Sequence, residues 1–387
     1  MPRIIYFTTA QEAKLFKNNL SNWVVPPNLS NQNFHNKLIR AFGLKNPVDV
    51  ISIRPFSRAK CEIKVLKAET KTVGNITYHY LKINRNKLFR LTHIKKQVKA
   101  LIEELKTDDS VVVTDTLNPK CVSVTSFIQR KFHLPAIGVC TDSPSSIKGT
   151  DKSYTLYLLS YCYKFDGFIT LTEGLNLLFN QNNKNHINFE GIVESKDTQL
   201  DTTVEGKYFF YAGGLLPKFG IFNLIEAFKN IKEQDISLVF CGHHGNEEQI
   251  AKAIKGDMRI KYLGTLPVKE VLALEKHALA NINPRPFTQD SDRLSIPSKV
   301  LEYLSSGALT ISVRSTQLEK TFKDCALWVK TGTPKELEAA LTNAISMSEE
   351  ERNAMAKQAK DIAMPRYSLE AISEVVTDFA SSFLKKE

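Results

Sequence analysis

Short apolar runs that predict β-strands alternate with helical segments along the chain, and the alternation stops once and then restarts. In the first half, the runs lie at Arg3–Phe7, Val48–Ile53, Ser110–Thr114, Ala136–Cys140 and Gly167–Leu171. Apolar residues at helical spacing lie between them. Strands that alternate with helices pair in parallel, so the pattern predicts an open α/β sheet.

The interruption is a polar stretch, 194–203, which has no apolar period and predicts a linker. After it, strands are predicted at Tyr208–Ala212, Ser237–Cys241, Arg259–Leu263, Ala280–Asn283 and Leu309–Val313, with helices between them. A final amphipathic helix is predicted at about 369–384. We therefore predict an α/β protein with two Rossmann-like parallel-sheet domains that face a cleft. The domains are an N-terminal one over 1–190, a linker over 191–206, a C-terminal one over 207–365, and a last helix over 366–387 that packs back on the first domain.

Length and composition exclude several classes of protein. At 387 residues, two domains are the natural expectation. No apolar run reaches the roughly 18–20 residues of a membrane span, and the start of the chain predicts a strand rather than a signal peptide. The six cysteines are scattered without a C-x-x-C pair. We expect buried free thiols in a reducing cytoplasm, with neither disulfides nor a zinc site.

The positive charge is concentrated in the first half. Residues 1–170 hold 26 Lys and Arg against 12 Asp and Glu, whereas residues 171–387 hold 26 against 29. Such a surface favours an anionic partner: lipid head groups, nucleic acid or a phosphorylated substrate. Nucleic acid is the weakest of the three, because no aromatic residues are interleaved as in a known binding module.

Five basic residues flank the apolar stripe from Phe89 to Leu105. They are Lys87, Arg90, Lys95, Lys96 and Lys99. The stripe predicts either a helix on a membrane surface or an ordinary amphipathic helix with a solvated basic face. Because the whole first half carries an excess of positive charge, the membrane-surface helix is about as plausible as the ordinary amphipathic helix.

The stretch Asn283–Gly307 is the most informative part of the second half. It predicts a strand end, a polar loop and a short helix, with Pro297 at the first helical position and Gly307 just past the end. Free N–H groups at a helix N-terminus favour an anion such as a phosphate. Glu302, about one turn further on, could accept a pair of hydroxyl hydrogen bonds. The alternative is a surface glutamate that pairs with Lys299 at i,i+3 spacing.

Two glycine-containing loops follow other strands of the second half. Gly213 and Gly214, with Lys218 after them, let a backbone approach a phosphate, although a strand-to-helix turn that needs glycine is about as plausible. Neither G-x-G-x-x-G nor a Walker A loop is present. The backbone at Thr265 and Leu266 could lie beside a nucleobase, or it is an ordinary loop.

Three further patterns could be read as sites. Asp142 ends a strand of the first half, where it either points into the cleft or caps a turn. Asp290 and Asp292 spell D-x-D, which can bind a divalent cation, but a solvated or substrate-facing loop is favoured. The adjacent His243 and His244 lack the spacing and the nearby carboxylates of a metal site. We therefore predict no metal ligands.

These residues together resemble a retaining glycosyltransferase of the GT-B fold, family 4, a group that builds cell-surface polysaccharides. The family's second domain often opens as Y-x-G-x-L with K-G before a helix, and it often carries N-P-R-P followed by P-S-K-x-x-E-Y-x-x-x-G. This chain has Tyr211–Gly220, Asn283–Pro286 and Pro297–Gly307 in that order. The last block is the specific one, and the resemblance is weaker in the first half.

The resemblance implies a role for each matching position. Glu302 would hold the donor's ribose hydroxyls, and Gly213 and Gly214 would let the diphosphate approach. The diphosphate would lie near Lys218, Arg285 and Lys299, and the base would lie beside Thr265 and Leu266. The sugar would lie near Asp142, at a position where many relatives have a histidine. The catalytic candidates are Asp142, Lys218 and Arg285. The sequence also departs from the family: Gly214 stands where relatives often have arginine, and Leu294 stands where the first carboxylate of E-x7-E is expected.

The implied function is the transfer of a hexose, with retention, from a nucleotide diphosphate sugar to a hydroxyl of a lipid-linked glycan. The donor is a substrate, expected to be UDP-linked, and no cofactor or metal is expected. The predicted location is the cytoplasm, at the inner face of the membrane. Two alternatives stay open: a sugar-nucleotide epimerase or hydrolase on the same fold, and a catalytically weak subunit that binds donor or a partner transferase.

Overall fold

The computed structural model describes residues 1–20, 29–54, 65–84, 90–147, 150–194, 204–242 and 247–384. The chain divides into two compact units. The first unit comprises 1–192, 293–295 and 369–387, and the second comprises 193–292 and 296–368.

An eight-stranded sheet forms the centre of the first unit. The strands in the described ranges of this part of the chain are β1 (Arg3–Thr8), β2 (Val48–Ser52), β3 (Val65–Leu66), β4 (Glu69–Val73), β5 (Ile76–Tyr80), β6 (Ile83–Asn84), β7 (Ser110–Asp115), β8 (Ala136–Cys140), β9 (Gly167–Thr170) and β10 (Asn185–Asn188). The order in the large sheet is β10-β9-β8-β7-β1-β2-β5-β4, and β3 pairs with β6 separately. The five predicted strands pair in parallel, as expected.

Helices connect these strands. They are α1 (Ala13–Leu20), α2 (Leu29–Gly43), α3 (Arg90–Leu105), α4 (Pro119–Phe132), α5 (Lys152–Cys162) and α6 (Glu173–Phe179). The strands β1, β2, β7 and β8 are buried almost throughout, because helices cover both faces of a parallel sheet. Thr172 caps α6 by accepting a hydrogen bond from the Leu175 N–H at 3.0 Å.

The sequence did not predict the antiparallel edge of this sheet. β4 pairs antiparallel with β5, and β5 continues the sheet in parallel beside β2. The residues of β4 are mostly exposed and polar. An edge strand of this kind carries no apolar alternation, so its sequence resembles a loop.

The second unit contains a six-stranded parallel sheet. Its strands are β11 (Lys207–Ala212), β12 (Ile236–Cys241), β13 (Ile260–Tyr262), β14 (Ala280–Asn283), β15 (Leu309–Val313) and β16 (Leu327–Val329). The order is β13-β12-β11-β14-β15-β16. This is the doubly wound order in which the winding direction reverses between the first and the fourth strand, here between β11 and β14. Of these strands, the sequence missed only the short β16.

The helices of the second half are α7 (Ile221–Lys229), α8 (Glu247–Ile254), α9 (Val268–His277), α10 (Gln289–Leu294), α11 (Ser298–Ser306), α12 (Thr316–Thr321), α13 (Pro334–Ser346) and α14 (Glu349–Tyr367). On one face of the sheet, Phe209, Phe228 and Leu337 belong to the main apolar cluster. On the other face, Tyr208 and Phe210 contribute to a smaller cluster. The alternate side chains of β11 therefore anchor both helical layers.

The last helix, α15 (Leu369–Ser381), packs against α2 within the first unit. Asn46 donates a hydrogen bond from Nδ2 to Thr377 Oγ1 at 2.7 Å, and Lys45 forms an ion pair with Glu374. The chain thus returns to the first unit after it has completed the second.

Two further expectations concern the whole chain. The five cysteines in the described ranges are free and buried, as expected, and Cys61 lies outside those ranges. Among the described helices, none combines the length and the hydropathy needed to cross a membrane.

Candidate functional site

The reversal of winding between β11 and β14 creates the most distinctive place in the second sheet. α7 begins after the loop that follows β11, and α11 begins after the segment that follows β14. Since β11 and β14 are neighbours, both helices begin at the same edge of the sheet. In open α/β sheets, ligands bind at this kind of position, outside the carboxyl ends of the strands. Two helix N-termini there favour an anionic group.

Backbone contacts hold the loops of this edge close together. Gly220 caps α7 with φ 79°, and a Cβ on it would lie 1.9 Å from the Pro284 carbonyl oxygen after β14. Gly242, after β12, is packed in the same way, because a Cβ there would lie 1.8 Å from the Gly213 carbonyl oxygen. No side chain fits at either position, so backbone atoms of the three loops are in direct contact there.

The loop after β11 exposes a cation beside an aromatic ring. Lys218 is exposed, and its Nζ lies 5.0 Å from the centroid of the Phe219 ring. A Cβ on Gly214 would lie 2.7 Å from the same ring. Tyr211 Oη donates a hydrogen bond to the Gly214 carbonyl oxygen at 2.7 Å, which fixes the loop. The position where the family often has arginine is thus occupied by a glycine that faces Phe219.

α11 spans the predicted residues, but Pro297 does not occupy the first helical position that the sequence suggested for it. Pro297 is the residue before the first helical one, with ψ 89° outside the helical range, whereas Gly307 ends the helix with φ 89° as expected. No side chain caps the N-terminus. Tyr303, fully buried, ties α11 to the end of β11: its Oη accepts from the Ala212 N–H at 2.9 Å and lies 3.3 Å from the Ala212 carbonyl oxygen.

Lys299 lies between two carboxylates at the start of α11. Its Nζ is 2.7 Å from Glu302 Oε2 and 3.2 Å from Glu275 Oε1 at the end of α9. The Glu275 side chain is 1% exposed, that of Glu302 29% and that of Lys299 37%. Burial alone would lower the pKa of Lys299, but the two carboxylates outweigh burial and hold it well above its ordinary value. Lys299 is therefore a fixed cation.

The structure thus contains the i,i+3 pair that was the alternative interpretation of Glu302. The addition of Glu275 makes it more than a surface pair, because a buried carboxylate needs a partner. The sequence missed Glu275: it lies on a helix beside other charges, and nothing in the local pattern distinguishes it from Glu270. Tyr303 could have been found, because Val300, Tyr303 and Leu304 share the buried face at helical spacing.

Thr265, Leu266 and Arg285 lie in loops at the same edge. Thr265 follows β13 and is exposed, while Leu266 is half-buried against the smaller apolar cluster. The Gly242 N–H donates to the Gly264 carbonyl oxygen at 2.8 Å, which joins the loops after β12 and β13. Arg285 is half-buried, two residues after the end of β14. The second sheet therefore brings together the predicted residues of the second half.

Asp142 belongs to the first unit, two residues after the end of β8. It is half-buried, and its Oδ1 accepts from the Ser143 N–H at 2.8 Å. A second strand-end acid, Asp115, is buried: it accepts from Asn31 Nδ2 at 3.0 Å and lies 3.5 Å from His35 Nε2. Burial alone would raise the pKa of Asp115, but His35 and the hydrogen bonds from Asn31 and the Leu117 N–H hold it below its ordinary value.

The D-x-D residues were expected in a polar loop, but they lie on the short helix α10. Asp290 and Asp292 both fall in its first turn, and Asp292 Oδ1 accepts from the Thr316 N–H at 2.7 Å, near the start of α12. Asp292 therefore stabilises a neighbouring helix. Leu294 is on α10 as well. No cluster of metal-ligating side chains occurs within the described ranges, and His243 and His244 lie outside them.

A comparison with protein families identifies the second unit. Residues 193–362 match the family model described as glycosyl transferases group 1. The chain is a glycosyltransferase. The matched region contains β11 to β16 and both helices that begin at the reversal point, so the candidate residues at this edge of the second sheet lie within it.

Solved structures share the fold over the whole length of this glycosyltransferase. A glycosyltransferase from Rickettsia africae has a TM-score of 0.71 at 12% identity, over 100% of this chain and 99% of its own. Sucrose-phosphate synthase from Thermosynechococcus elongatus has a TM-score of 0.69 at 14% identity, over 99% of each chain. HepE from Anabaena, in complex with UDP-glucose, has a TM-score of 0.67 at 12% identity, over 99% of this chain and 100% of its own.

These likenesses show that the glycosyltransferase has the GT-B fold, with two Rossmann-like domains, as predicted. No curated protein sequence matches the chain significantly.

Proposed function

We propose that this glycosyltransferase moves a hexose, with retention, from a nucleotide diphosphate sugar to a hydroxyl of a glycan. The observation that carries the proposal is the edge of the second sheet, where α7 and α11 begin side by side and Glu302 follows one turn later. The match of this region to group 1 glycosyl transferases and the UDP-glucose bound by Anabaena HepE support a nucleotide-sugar donor.

Each part of the donor has a matching group at this edge. The α7 and α11 N-termini, with Lys218 and Arg285, would hold the diphosphate, which Gly213 and Gly214 leave room to approach. The partly exposed Glu302 would accept hydrogen bonds from the ribose hydroxyls. Thr265 and Leu266 would lie beside the base, expected to be uracil.

Lys299 receives a different role from the one that the family resemblance implies. Its ion pairs with Glu302 and Glu275 already use its charge. We propose that Lys299 is a positioning residue, which fixes the direction of the Glu302 carboxylate through their hydrogen bond, rather than a ligand of the diphosphate. A charge-assisted hydrogen bond of this kind is stronger than a neutral one and restricts the geometry of both partners.

The chemistry follows from where charge develops. As the bond between the sugar and the diphosphate breaks, the sugar becomes oxocarbenium-like and the leaving diphosphate gains negative charge. Fixed N–H groups, Lys218 and Arg285 would stabilise that charge without reorganisation. We propose that no metal or cofactor is needed. Activity should therefore persist in excess chelator, and complete loss that Mg²⁺ restores would contradict this part.

We propose further that the acceptor is lipid-linked, in cell-surface polysaccharide synthesis, and that the protein works at the inner face of the membrane. The excess of positive charge in residues 1–170 supports this location. Family 4 membership is part of the same proposal, supported by the block Pro297–Gly307.

A second function is favoured by one observation. Gly214 faces Phe219 where relatives often have arginine, so the diphosphate would meet one cation fewer. A donor-binding subunit with weak activity of its own, which works with a partner transferase, is therefore the alternative. An epimerase or hydrolase on the same fold has no comparable support.

The experiment that tests the proposal begins with a thermal-shift screen of nucleotide sugars, followed by incubation of the stabilising donor with lipid-linked acceptors. We expect release of the nucleotide only when acceptor is present, and NMR of the product should show the anomeric configuration of the donor. Free sugar without acceptor would indicate a hydrolase. Stabilisation without any turnover would favour the subunit, and inversion would contradict the proposed mechanism.

A further inference from the structure

The first sheet reverses its winding direction, as the second sheet does. The strands β2, β5 and β4 lie on one side of β1, and β7 to β10 lie on the other side. Since β1 and β7 pair in parallel, the loops that follow them, 9–12 and 116–118, lie at the same edge. This is the position at which an open α/β sheet binds a ligand, and Thr9, Leu117 and Asn118 are partly accessible there.

A chain of buried polar side chains lies next to this edge. Tyr6 Oη is 2.7 Å from His35 Nδ1, and His35 Nε2 is 3.5 Å from Asp115 Oδ2. Asn31 Nδ2 donates to the same Asp115 oxygen at 3.0 Å. The side chains of His35 and Asp115 are 0% and 1% exposed. The chain of side chains thus connects β1, the helix α2 and the end of β7.

The same helix holds the loop after β1. Gln32 Oε1 accepts from the Gln11 N–H at 3.2 Å, and Gln32 Nε2 donates to the Gln11 carbonyl oxygen at 2.6 Å. Asn36 Nδ2 donates to that carbonyl oxygen as well, at 2.9 Å. Gln32, His35 and Asn36 are three and four residues apart, so they share one face of α2. That face fixes the loop 9–12.

The loop after β7 is held in a similar way. Asp115 Oδ1 accepts from the Leu117 N–H at 2.9 Å, and Tyr154 Oη on α5 donates to the Leu117 carbonyl oxygen at 2.7 Å. In each of the two loops, therefore, side chains engage both backbone polar groups of one residue. A loop that is already fixed loses little conformational freedom when a ligand binds, and this raises the affinity for the ligand.

We propose that His35, Asn36 and Asp115 are positioning residues for the acceptor, because they hold the loops 9–12 and 116–118 in the conformation that binds the acceptor sugar. Stability alone gives little reason for the cluster, since apolar residues of similar volume often replace a buried ion pair without loss. The inference rests on the proposed function, which requires a second substrate besides the donor. It adds the place where that substrate binds and the residues that prepare it.

The test uses octyl glycosides of glucose, galactose, mannose and N-acetylglucosamine as stand-ins for a lipid-linked glycan. His35→Ala should raise the KM for the acceptor about tenfold or more, with little change in kcat or in the thermal shift with the donor, because only acceptor binding is weakened. His35→Gln keeps a hydrogen-bond donor and an acceptor in place of the imidazole and should recover part of this loss. Asn36→Ala removes one hydrogen bond to Gln11 and should raise the KM about threefold.

Another Asp–His pair in the same sheet provides the matched control. Asp49 Oδ1 lies 2.8 Å from His79 Nε2, and the two side chains are 4% and 12% exposed. Asp49 is the second residue of β2, so the pair lies away from the carboxyl edge. His79→Ala should lower the Tm, as His35→Ala does, but leave the acceptor KM unchanged. An equal rise of KM in His79→Ala, or a wild-type KM in His35→Ala and Asn36→Ala, would overturn the inference.

Hydrogen–deuterium exchange separates this inference from the proposed function, because it requires no turnover. We expect a bound octyl glycoside to slow amide exchange in 9–12 and 116–118 of the wild type, and to do so less in His35→Ala. Protection of these loops without any donor binding would support the inference and remove the transferase proposal. Donor binding and transfer without protection of the loops would do the reverse. Neither protection nor transfer with any of the four octyl glycosides would contradict the inference.

Discussion

The replacement of Lys299 by methionine isolates the contribution of the Glu275–Lys299–Glu302 group. Glu275 is 1% exposed, so removal of the cation takes the Lys299 ion pair away from a buried carboxylate. Breaking a buried ion pair costs about 3–5 kcal/mol. Since Lys299 is 37% exposed and water screens such a pair, we expect a smaller loss, about 2–3 kcal/mol of the free energy of unfolding.

A double-mutant cycle shows whether this cost arises from Glu275. Glu275→Gln alone keeps the pair of Lys299 with Glu302 and should cost about 1 kcal/mol. If the buried carboxylate causes the loss, Lys299→Met combined with Glu275→Gln should also cost only about 1–2 kcal/mol, well below the sum of the single changes. Urea unfolding of the four proteins measures these values.

Nucleotide affinity distinguishes positioning from mere stability. The double variant recovers much of its stability but has lost the cation that directs Glu302, so calorimetry should show UDP binding as weak as in Lys299→Met. Stability losses that add up would refute the interaction with Glu275. Full recovery of UDP affinity in the double variant would refute the positioning role.

Three other predictions follow from single features. Lys218→Ala should lower kcat about tenfold or more with little change in donor affinity, because the leaving diphosphate gains negative charge in the transition state. The control Lys229→Ala should leave kcat unchanged. An unaltered kcat in Lys218→Ala would show that Lys218 does not stabilise the leaving diphosphate. Gly220→Ala should lower the free energy of unfolding by at least about 2 kcal/mol, since its Cβ would collide with the Pro284 carbonyl oxygen. The control Gly256→Ala, at a similar φ with no neighbouring atom, should lower it by about 1 kcal/mol. Equal losses in the two variants would contradict the close packing at Gly220. The pKa of Lys299 is raised in the folded protein, so its ion pairs stabilise the fold fully below its unfolded pKa of about 10.4 and are lost only as the pH rises through the higher folded value. The difference in unfolding free energy between wild type and Lys299→Met should therefore stay constant from about pH 7 to 9 and shrink only at more alkaline pH. A difference that vanishes near neutral pH would contradict the assignment.

The parallel sheets were predictable because both faces of a parallel strand are covered. Runs such as Tyr208–Ala212 and Ala136–Cys140 are apolar throughout and lie between helical segments, so the sequence predicts their type and place. β4, Glu69–Val73, was missed because one edge and most of its side chains face water. α10 was missed because a polar helix of six residues has no apolar period.

The candidate site was predictable where glycines and proline fix the backbone. Gly307 ends α11 as expected because its φ of 89° favours glycine. The role of Lys299 was not predictable, because Glu275 is 24 residues earlier, and only the packing of α9 against α11 brings the two together. The local sequence shows Lys299 next to an anion-favouring helix start, which suggests a phosphate ligand.

The most direct test of the central claim is the affinity of the protein for UDP and for 2′,3′-dideoxy-UDP, measured by calorimetry on wild type and Glu302→Ala. If Glu302 accepts both ribose hydroxyls at the edge of the second sheet, the wild type should bind UDP at least about tenfold more tightly than the dideoxy analogue. Glu302→Ala, with unchanged circular dichroism, should bind the two equally and weakly. Wild-type affinity for UDP in Glu302→Ala, or an undiminished preference for UDP over the analogue, would contradict the account.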